Sequence, residues 1–526
     1  MRTVADALLQ ELARWGISRA FLVPGAQIDP LASSLFRGVG PQPVLACHEL
    51  AAGFMADGYA RASGLPGLVL TIGGPGAAYA LPAAVNARID RSPVLVLTGN
   101  IPRAMQDRRA FQDAGPNGSN DAGFYRAAIG GSYLCESPDM LFDLLYKIKR
   151  DIDDDRPAHL MVPIDVQNAP WDGGDGAAIS AADCTVGAAS LPSDWMACGR
   201  LVVLAGSRSI ASSEEIKGFA DRFTVPVATT LAARGVVPEN SLMAMGHFGF
   251  MAHPRAKSAL SSSTPLAAER IVAVGLDEFA PEHFPGIEVV VAPPGALKQW
   301  LLNESATPPA ATVQQRRDWI AACRQLDRPG LPDAVPGAIS YGHLVETVAR
   351  RMPAGTIHVF DSGQVRRVGV ARLTCLEPRT LLVADGMAPM GWAIGAAIGA
   401  AFACPNRSVA TFVGDGSMLM HGLELITAVR YRLPILFVLC ENGVYGSLSL
   451  RDPSSPMAAL PGMDWCAFSR SLGIETRHAG CLQTLHTALD GVAEMSGPRL
   501  VVAKVPAVDP DAGHGDTGIA WLSSLK

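Results

Sequence analysis

The stretch GDGSMLMHGLELITAVRYRLPILFVLCENGVYG, residues 414–446, joins two apolar strand-like segments through a segment of helix length. The first, SVATFVG (408–414), leads directly into Asp415, and the second, ILFVLCE (435–441), leads into Asn442. Parallel strands joined by a crossover helix present their carboxyl ends at the same edge of a sheet. The pattern therefore predicts a parallel α/β sheet with both side chains at one edge.

Two glycines flank the acidic residue of this stretch. Gly414 and Gly416 allow the backbone to turn tightly and to approach a ligand closely. A carboxylate, an amide oxygen and a free backbone carbonyl are hard oxygen donors, and with phosphate oxygens they complete the octahedron that Mg²⁺ prefers. A GDG triplet alone is more often a simple tight turn, but the spacing from Asp415 to Asn442 favours a site for magnesium and a diphosphate.

Length and composition limit what the rest of the chain can be. At 526 residues the chain is too long for a single core, and its length suggests about three domains. The 49% of hydrophobic residues, the 17% of charged residues and the net charge of −6 argue against disorder and against a nucleic-acid-binding surface. Small neutral or anionic ligands fit this composition better.

Two further features bear on the cellular compartment. The ten cysteines are scattered, without CxxC pairs or zinc-type spacing, which is typical of buried thiols in a reducing compartment. The N-terminal segment MRTVADALLQELARWG predicts an amphipathic helix and not a signal peptide, so we expect a cytoplasmic protein. Two uncharged runs, 62–87 and 386–406, are long enough to span a membrane. Their flanking αβ patterns favour buried segments instead, and no membrane partner is expected.

Short β-branched runs alternate with amphipathic segments of helix length along most of the chain, which predicts α/β domains with doubly wound parallel sheets. Three blocks separate at polar stretches rich in Pro and Gly: residues 1–170, 185–325 and 338–526. The polar stretch after the second block is predicted to be a linker that ends near residue 337. The predicted strands are 20–23, 44–47, 68–72, 94–99 and 159–165 in the first block, 201–206, 225–230 and 270–275 in the second, and 357–361, 381–385, 408–415, 435–442 and 499–506 in the third.

The GDG triplet with an Asn about 25 to 30 residues later resembles the fingerprint of the thiamine diphosphate enzymes. The resemblance implies that Asp415 and Asn442 bind Mg²⁺, with the carbonyl of Val444 as a third ligand. It also implies that the three blocks are a pyrimidine-binding, a central and a diphosphate-binding domain. The sequence departs from the fingerprint at Glu441, where the family usually has an Asn, and that side chain either points away from the diphosphate or modifies the site.

Two further signatures carry the same resemblance. CHELAAGFMADGYARASG (47–64) places Glu49 at the start of a helix, where the family uses a glutamate to hydrogen-bond the aminopyrimidine of the cofactor. VADGMAPMGWAIGAAIGA (383–400) resembles the segment that bends the cofactor. The cofactor contacts that the resemblance implies are Gly25, Glu49, Gly74, Ala388, Met390, Gly414, Asp415, Gly416, Ser417, Asn442, Val444 and Tyr445. Because the family binds its cofactor between subunits, at least a homodimer is implied, and a homotetramer is common in the family.

The segments that would face the substrate favour ligation over simple decarboxylation. The loop containing Ala26 and Gln27 is similar to that of benzaldehyde lyase, and FQDAG (111–115) places Gln112 where acetolactate synthases carry a catalytic Gln. Leu70 and Thr71 stand where benzoylformate decarboxylase has a histidine region. An apolar pocket with few proton donors lets the activated donor meet a second carbonyl, so we expect a carboligase or lyase acting on 2-keto acids, aldehydes or acyloins.

Alternatives to this function stay open at the level of the sequence. The first is a simple 2-keto acid decarboxylase similar to benzoylformate decarboxylase, and the second is a catalytically idle paralogue that acts as a subunit. Arg451 stands near the acceptor-recognising position of acetolactate synthases and is either a carboxylate-binding residue of the substrate pocket or a solvated loop residue. The segment GLDEFAPEHF (275–284) lacks the family's GARFDDR pattern, which makes bound FAD doubtful.

Overall fold

The computed structural model describes residues 2–173, 193–293, 296–302, 307–331 and 335–510. Within these residues the strands form three parallel sheets with six, five and six members. Helices connect the strands, so the predicted α/β class with three parallel sheets is confirmed. The chain divides into two compact units, of which the first holds the N-terminal and C-terminal sheets and the second holds the central sheet. The predicted domain limits stay a prediction, and those at 170 and 185 border or fall within the segment 174–192, outside the described residues.

The N-terminal sheet has the strand order β2-β1-β3-β4-β6-β5. Its strands are β1 Arg19–Leu22, β2 Gln42–Leu45, β3 Gly67–Thr71, β4 Val94–Asn100, β5 Ser132–Leu134 and β6 Ala158–Pro163. Its helices are α1 Val4–Arg14, α2 Asp29–Phe36, α3 Glu49–Ser63, α4 Pro75–Ile89, α5 Asp121–Ile129, α6 Leu141–Asp153 and α7 Ile164–Gln167.

The central sheet has the order β11-β10-β7-β8-β9. Its strands are β7 Leu201–Ala205, β8 Val227–Thr229, β9 Ala244–His247, β10 Arg270–Val274 and β11 Glu288–Ala292, and the helices are α8 Ser213–Phe223, α9 Pro254–Ala259, α10 Ala296–Leu302 and α11 Ala310–Arg324. α11 corrects the predicted linker, because residues 310–324 are helical. Trp319, Ile320 and Cys323 of this helix are buried, and contact with the central core outweighs the polar composition of the stretch.

The C-terminal sheet has the order β13-β12-β14-β15-β17-β16. Its strands are β12 Ile357–Phe360, β13 Leu381–Val383, β14 Val409–Gly414, β15 Ile435–Glu441, β16 Glu475–Ala479 and β17 Arg499–Lys504. The helices are α12 Tyr341–Arg351, α13 Gln364–Arg372, α14 Trp392–Ala403, α15 Asp415–His421, α16 Leu425–Arg430, α17 Gly446–Ser449, α18 Trp465–Ser471 and α19 Leu482–Ala488.

Small residues bring α3 and α14 into close contact inside the first unit. A Cβ at Gly58 would lie 2.2 Å from the carbonyl oxygen of Ala396, and one at Gly399 would lie 1.9 Å from the carbonyl oxygen of Met55. This packing buries α14 from Trp392 to Ala401, the central part of the uncharged run 386–406. None of the helices in the described part of the chain is long and apolar enough to span a membrane.

Candidate functional site

Asp415 and Asn442 lie close together, as predicted, at the edge of the C-terminal sheet where its strands have their carboxyl ends. This is the sense in which "edge" is used for the site. β14 and β15 pair in parallel, Asp415 begins α15, and its Oδ2 accepts hydrogen bonds from the backbone amides of Asn442 (2.9 Å) and Gly443 (2.6 Å). Asn442 Oδ1 in turn accepts from the Val444 amide at 3.0 Å. Asp415 Oδ1 is buried and has no hydrogen-bond partner among the described residues, which leaves one carboxylate oxygen available for a ligand.

Burial raises the pKa of the Asp415 carboxyl, and the charge of Glu441 raises it further. The amides of Asn442 and Gly443 lower this pKa, as does the nearby side chain of Trp465. The Glu441 side chain is turned toward His478, with 3.8 Å between Glu441 Oε2 and His478 Nε2. Of the two predicted possibilities for Glu441, the structure therefore favours the side chain pointing away, with a residual electrostatic effect on Asp415. A bound cation would offset this repulsion.

The next turn of α15 is shaped by a glycine. A Cβ at Gly416 would lie 2.5 Å from the Tyr445 ring and 2.7 Å from the terminal methyl group of Met390. These three predicted cofactor contacts are therefore in one place, and only glycine fits there. Ser417 is fully buried and donates a hydrogen bond to Asp361 Oδ1 at 2.7 Å, so its hydroxyl holds the helix start.

Asp361 is an organising residue that the sequence interpretation missed. It is 1% exposed, and burial raises the pKa of its carboxyl. Its donors come from three segments: the amides of Ser362, Gly391 and Ala393 and the hydroxyl of Ser417. The available signal was its place directly after β12, the same position that Asp415 has after β14.

Ala388 lies between these elements in a strained conformation. Its φ is 50°, in the left-handed region that favours glycine, and its carbonyl accepts a hydrogen bond of 2.5 Å from the Ser362 hydroxyl. The carbonyl that the resemblance assigns to the cofactor is thus oriented by its own chain.

A second group of predicted residues lies at the edge of the N-terminal sheet. Glu49 begins α3, where His48 caps the helix by accepting from the Leu50 amide at 3.1 Å. A Cβ at Gly76 would lie 2.2 Å from Thr71 Oγ1 and 3.4 Å from Glu49 Oε1. Thr71 Oγ1 is buried without a hydrogen-bond partner among the described residues, so a polar atom faces the start of α4.

Three loops meet beside this group. A Cβ at Gly25 would lie 2.4 Å from the Ile72 side chain, and the Gly74 amide donates to Asp121 Oδ2 at 2.7 Å. Burial raises the pKa of Asp121 to about 6. Gln112 lines a cavity of about 680 Å³ with Gly74.

The remaining predicted residues are dispersed. Leu70 is fully buried in the hydrophobic core, whereas Ala26 and Arg451 are exposed. Val444 forms an isolated antiparallel bridge with Ala459. The structure thus forms two groups at two sheet edges and leaves Leu70 and Arg451 outside both.

Comparison with known proteins relates the residues at both sheet edges to one family. Residues 2–118 match the N-terminal TPP binding domain of thiamine pyrophosphate enzymes, residues 198–288 match their central domain, and residues 361–503 match their C-terminal TPP binding domain. Together the three matches cover more than half of the chain. The chain belongs to the thiamine pyrophosphate enzyme family.

The relatives of this thiamine pyrophosphate enzyme share nearly its whole length. A Mycobacterium tuberculosis protein provisionally named acetolactate synthase large subunit IlvB2 is 28% identical over 98% of this chain and 100% of its own. Acetolactate synthase isozyme 1 large subunit of Escherichia coli is 26% identical over 96% of this chain and 94% of its own. The "Probable 2-ketoarginine decarboxylase AruI" of Pseudomonas aeruginosa is 27% identical over 95% and 93%.

In this thiamine pyrophosphate enzyme the C-terminal edge fits a magnesium diphosphate. Asp415 supplies an unpartnered oxygen, and the missing Cβ of Gly416 lets Met390 and Tyr445 pack against the start of α15. Across the described ranges, no cluster of three or more His, Cys, Asp or Glu side chains is arranged to hold a metal. A cation bound here therefore needs oxygens from a phosphate as well as from the chain.

An ion network joins the C-terminal ends of α3 and α4 to the segment before Ala388 in this thiamine pyrophosphate enzyme. Arg61 binds Asp57 at 2.7 Å and Asp90 at 2.9 Å, and Asp90 also accepts from the amides of Asp385 and Gly386. The network thereby fixes the segment that leads to Ala388. Sequence spacing did not indicate it, because its members are more than 290 residues apart between Asp90 and Asp385.

Proposed function

We propose that this protein is a thiamine diphosphate- and Mg²⁺-dependent enzyme that makes or breaks carbon–carbon bonds at 2-keto acids or acyloins. The observation that carries the proposal is the buried, unpartnered Asp415 Oδ1 at the edge of the C-terminal sheet. It lies beside Asn442 and next to the helix turn at Gly416. The matches to both TPP binding domains support the same assignment.

The residues of the C-terminal edge have distinct tasks in this proposal. Asp415, Asn442 and the Val444 carbonyl would hold Mg²⁺, while Gly414, Gly416 and Ser417 present the start of α15 to the diphosphate. Met390 and Tyr445 would support the rings, and the oriented carbonyl of Ala388 would accept from the amino group. When bound, thiamine diphosphate supplies an electron sink at the carbonyl carbon of the donor substrate.

The residues of the N-terminal edge would handle protons and substrate. Glu49 would hold a proton against the aminopyrimidine, with Gly25 and Gly74 giving close backbone approach. Ala26 has no proton to give, and Gln112 lines the adjoining cavity of about 680 Å³. Few proton donors near the reacting carbon favour reaction with a second carbonyl over protonation, which supports carboligation of the acetolactate synthase or benzaldehyde lyase type.

Two acetolactate synthase names among the relatives favour the carboligase, and the decarboxylase name keeps simple 2-keto acid decarboxylation as the second candidate. Supplying pyruvate, benzoylformate and benzoin separately and together, with products read by mass spectrometry, separates them. Acyloin or acetohydroxy acid products support ligation, cleavage of benzoin supports the lyase direction, and aldehyde alone supports decarboxylation. Absence of every product with cofactor bound would support an idle subunit instead.

Replacing the proposed proton-holding group tests the mechanism directly. Glu49→Gln keeps the size of the side chain and removes its charge, and we expect a loss of activity of about 10²-fold or more. Glu214→Gln, also in the first turn of a helix, is the matched control and should keep full activity. Full activity of Glu49→Gln would contradict the assignment.

We further propose at least a homodimer, and a homotetramer in accord with the family, in the cytoplasm. Large apolar side chains near the two edges are exposed in the single chain, with Tyr79 at 55%, Met420 at 52% and Leu423 at 66%, as expected of a surface covered by a second copy. Mixing inactive Glu49→Gln with inactive Asp415→Asn should restore about a quarter of the activity if each site takes residues from two chains. If each site lies within one chain, no activity returns.

In the described residues of the central domain, the sheet lacks an open crevice of the kind that would bind FAD. The strand order reverses between β7 and β10, where a dinucleotide would bind. There the loops touch: a Cβ at Gly206 would lie 2.3 Å from the Gly275 carbonyl oxygen. Glu278 Oε1 accepts from the Ser207 amide at 3.1 Å and the Thr230 hydroxyl at 2.8 Å, so an acidic side chain uses donors that a phosphate would need.

A further inference from the structure

One buried side chain links two loops that are far apart in sequence. Gln27 is 5% exposed and lies in the single 3₁₀ turn between β1 and α2. Its Nε2 donates to the carbonyl of Gln112 at 2.9 Å, and its Oε1 accepts from the Gly73 amide at 2.9 Å. The amide oxygen and one N–H of the amide are therefore bonded to the protein, and the predicted substrate contact of Gln27 stays a prediction.

Close packing fixes the amide in this position. A Cβ at Gly73 would lie 3.0 Å from Gln27 Oε1, and a Cβ at Gly99 would lie 2.3 Å from the Gln27 carbonyl oxygen. The same carbonyl accepts from Gln167 Nε2 at 2.8 Å. The turn around Gln27 is thus enclosed on its backbone and on its side chain, and the side chain cannot rotate without breaking both bonds.

The Gln112 backbone needs such a restraint. Its φ is 56°, a left-handed conformation that costs a residue with a side chain about 1 kcal/mol or more. The bond from Gln27 holds the Gln112 carbonyl itself. The following residues are held by the Ala114 amide, which donates to Asn100 Oδ1 at 3.0 Å, and by the Asp113 carboxylate, which accepts from the amides of Asp107 and Gly115. In that conformation Gln112 lines the cavity beside Gly74.

We infer that Gln27 is a positioning residue that sets the place of Gln112 relative to the Gly73–Gly74 turn and thereby decides whether the activated donor meets a second carbonyl or a proton. The inference rests on the proposed carboligase function. Gln27 itself does not contact the reacting atoms in this scheme. Its effect passes through the backbone of Gln112, and a displacement of about 1 Å is enough to change rates strongly.

Two substitutions separate the two bonds. Gln27→Glu keeps an oxygen for the Gly73 amide but places a second acceptor against the Gln112 carbonyl, and Gln27→Met removes both bonds at similar volume. Gln167→Met is the comparison variant: it removes a buried amide that bonds the Gln27 backbone carbonyl but keeps both side-chain bonds between the Gly73 turn and Gln112. All three should lower thermal stability.

The decisive measurement is made in a reaction with pyruvate and benzaldehyde. It is the ratio of the ligated product to the acetaldehyde released from pyruvate, because this ratio does not depend on the fraction of folded enzyme. We expect both Gln27 variants to shift the ratio toward aldehyde by about tenfold and Gln167→Met to leave it within about twofold of the wild type. An unchanged ratio in both Gln27 variants, or an equal shift in Gln167→Met, would overturn the inference.

A second measurement keeps the inference separate from the proposed function. Arg108 and Arg109 are exposed in the loop before Gln112, and brief trypsin treatment with mass spectrometry measures how often this loop opens. We expect cleavage there to be several-fold faster in both Gln27 variants than in Gln167→Met. If the wild type forms no product from any substrate, the proposed function is wrong. Equal cleavage rates in all variants would contradict only the positioning role of Gln27.

Discussion

The C-terminal and central sheets have the same parallel architecture but differ in what occupies the edge where their strands end. At the C-terminal edge, Asp415 uses Oδ2 for the amides that follow β15 and leaves Oδ1 unpartnered. At the central edge, Glu278 bonds the Ser207 amide and the Thr230 hydroxyl. A parallel sheet thus offers a site at its edge, and the chain's own side chains decide whether that site stays open.

The two edges also differ in how their loops pack. At the C-terminal edge, Gly416 lets the side chains of Met390 and Tyr445 pack against the start of α15, whereas Gly206 and Gly275 let two loops of the central domain touch each other. Glycine after a strand therefore permits close packing in both places. At the C-terminal edge the neighbours are side chains proposed to contact the cofactor, and at the central edge they are backbone atoms that narrow the crevice a dinucleotide would use.

The largest effect is expected from the open carboxylate. Asp415→Asn can keep one oxygen for the two backbone amides but puts an NH₂ group in place of the open oxygen and removes the charge that would face Mg²⁺. Affinity for thiamine diphosphate with Mg²⁺ should therefore fall at least about 100-fold, or about 3 kcal/mol. Calorimetric titration of the cofactor in magnesium measures this loss. Asp464→Asn, which can still cap α18, should bind as the wild type does, and tight binding by Asp415→Asn would remove the contrast between the edges.

Asp121 is a buried carboxylate that, unlike Asp415, has both oxygens hydrogen-bonded, one to the Gly74 amide and one to the Ser119 hydroxyl. Its contribution to stability should depend on pH. Burial raises the pKa of this carboxyl from 3.8 to about 6, so the folded state holds the proton more tightly than the unfolded state. Its ionisation should lower stability as pH rises from about 4 to 6, by about 3 kcal/mol at most.

Asp121→Asn can keep both contacts and has no charge to desolvate, so melting temperatures measured from pH 4 to 7 should rise relative to the wild type as pH increases. The exposed Asp143→Asn serves as the control. A parallel pH profile in Asp121→Asn and the wild type would show that this carboxyl does not titrate in that window.

Strain at the open edge predicts a stabilising substitution. Ala388 has a φ of 50°, so Ala388→Gly should raise the free energy of unfolding by about 0.5–1 kcal/mol. Ala393→Gly inside α14 should have the opposite sign and a similar size. Denaturant titration of the two variants measures both, and a loss of stability in Ala388→Gly would mean that the conformation carries no strain.

The smallest effect is expected at the filled edge. Glu278 is exposed, so Glu278→Ala should cost less than about 1 kcal/mol in stability.

Purified wild-type protein incubated with FAD and desalted should retain no flavin absorbance. Retention of flavin in a stoichiometric amount would show that the crevice opens, and the contrast with the C-terminal edge would then disappear.

The central strands of each sheet were all predicted, whereas only two of the six edge strands in the described ranges, β2 and β13, were. The buried strands β3, β4, β14 and β15 have the continuous apolar runs of doubly covered sheets. The four strands without a prediction, β5, β9, β11 and β16, all lie at sheet edges. β5 and β9 have only three and four residues, and β16 is polar and partly exposed, so their sequences carry little apolar signal. β11 is partly exposed but apolar, with the sequence EVVVA, and the sequence interpretation missed it.

The site divided in a similar way. Asp415, Asn442 and Gly416 could be predicted because short segments carry them and because their spacing fits one strand–helix–strand unit. Asp361 followed a strand in the same manner as Asp415 but had no partner nearby in sequence. Gln27 appeared in the correct loop, yet its two hydrogen bonds depend on loops 46 and 85 residues away.

The sequence by itself determined the sheet class, the order of the three blocks and the pairing of Asp415 with Asn442, because these follow from local periodicity and from the short reach of a crossover helix. Only the tertiary structure decided which hydrogen-bonding atoms are already used. Asp415 Oδ1 is left open while Glu278 is engaged and Gln27 is bonded through its amide oxygen and one N–H. That difference arises from contacts between distant segments, whose geometry depends on packing and not on spacing along the chain.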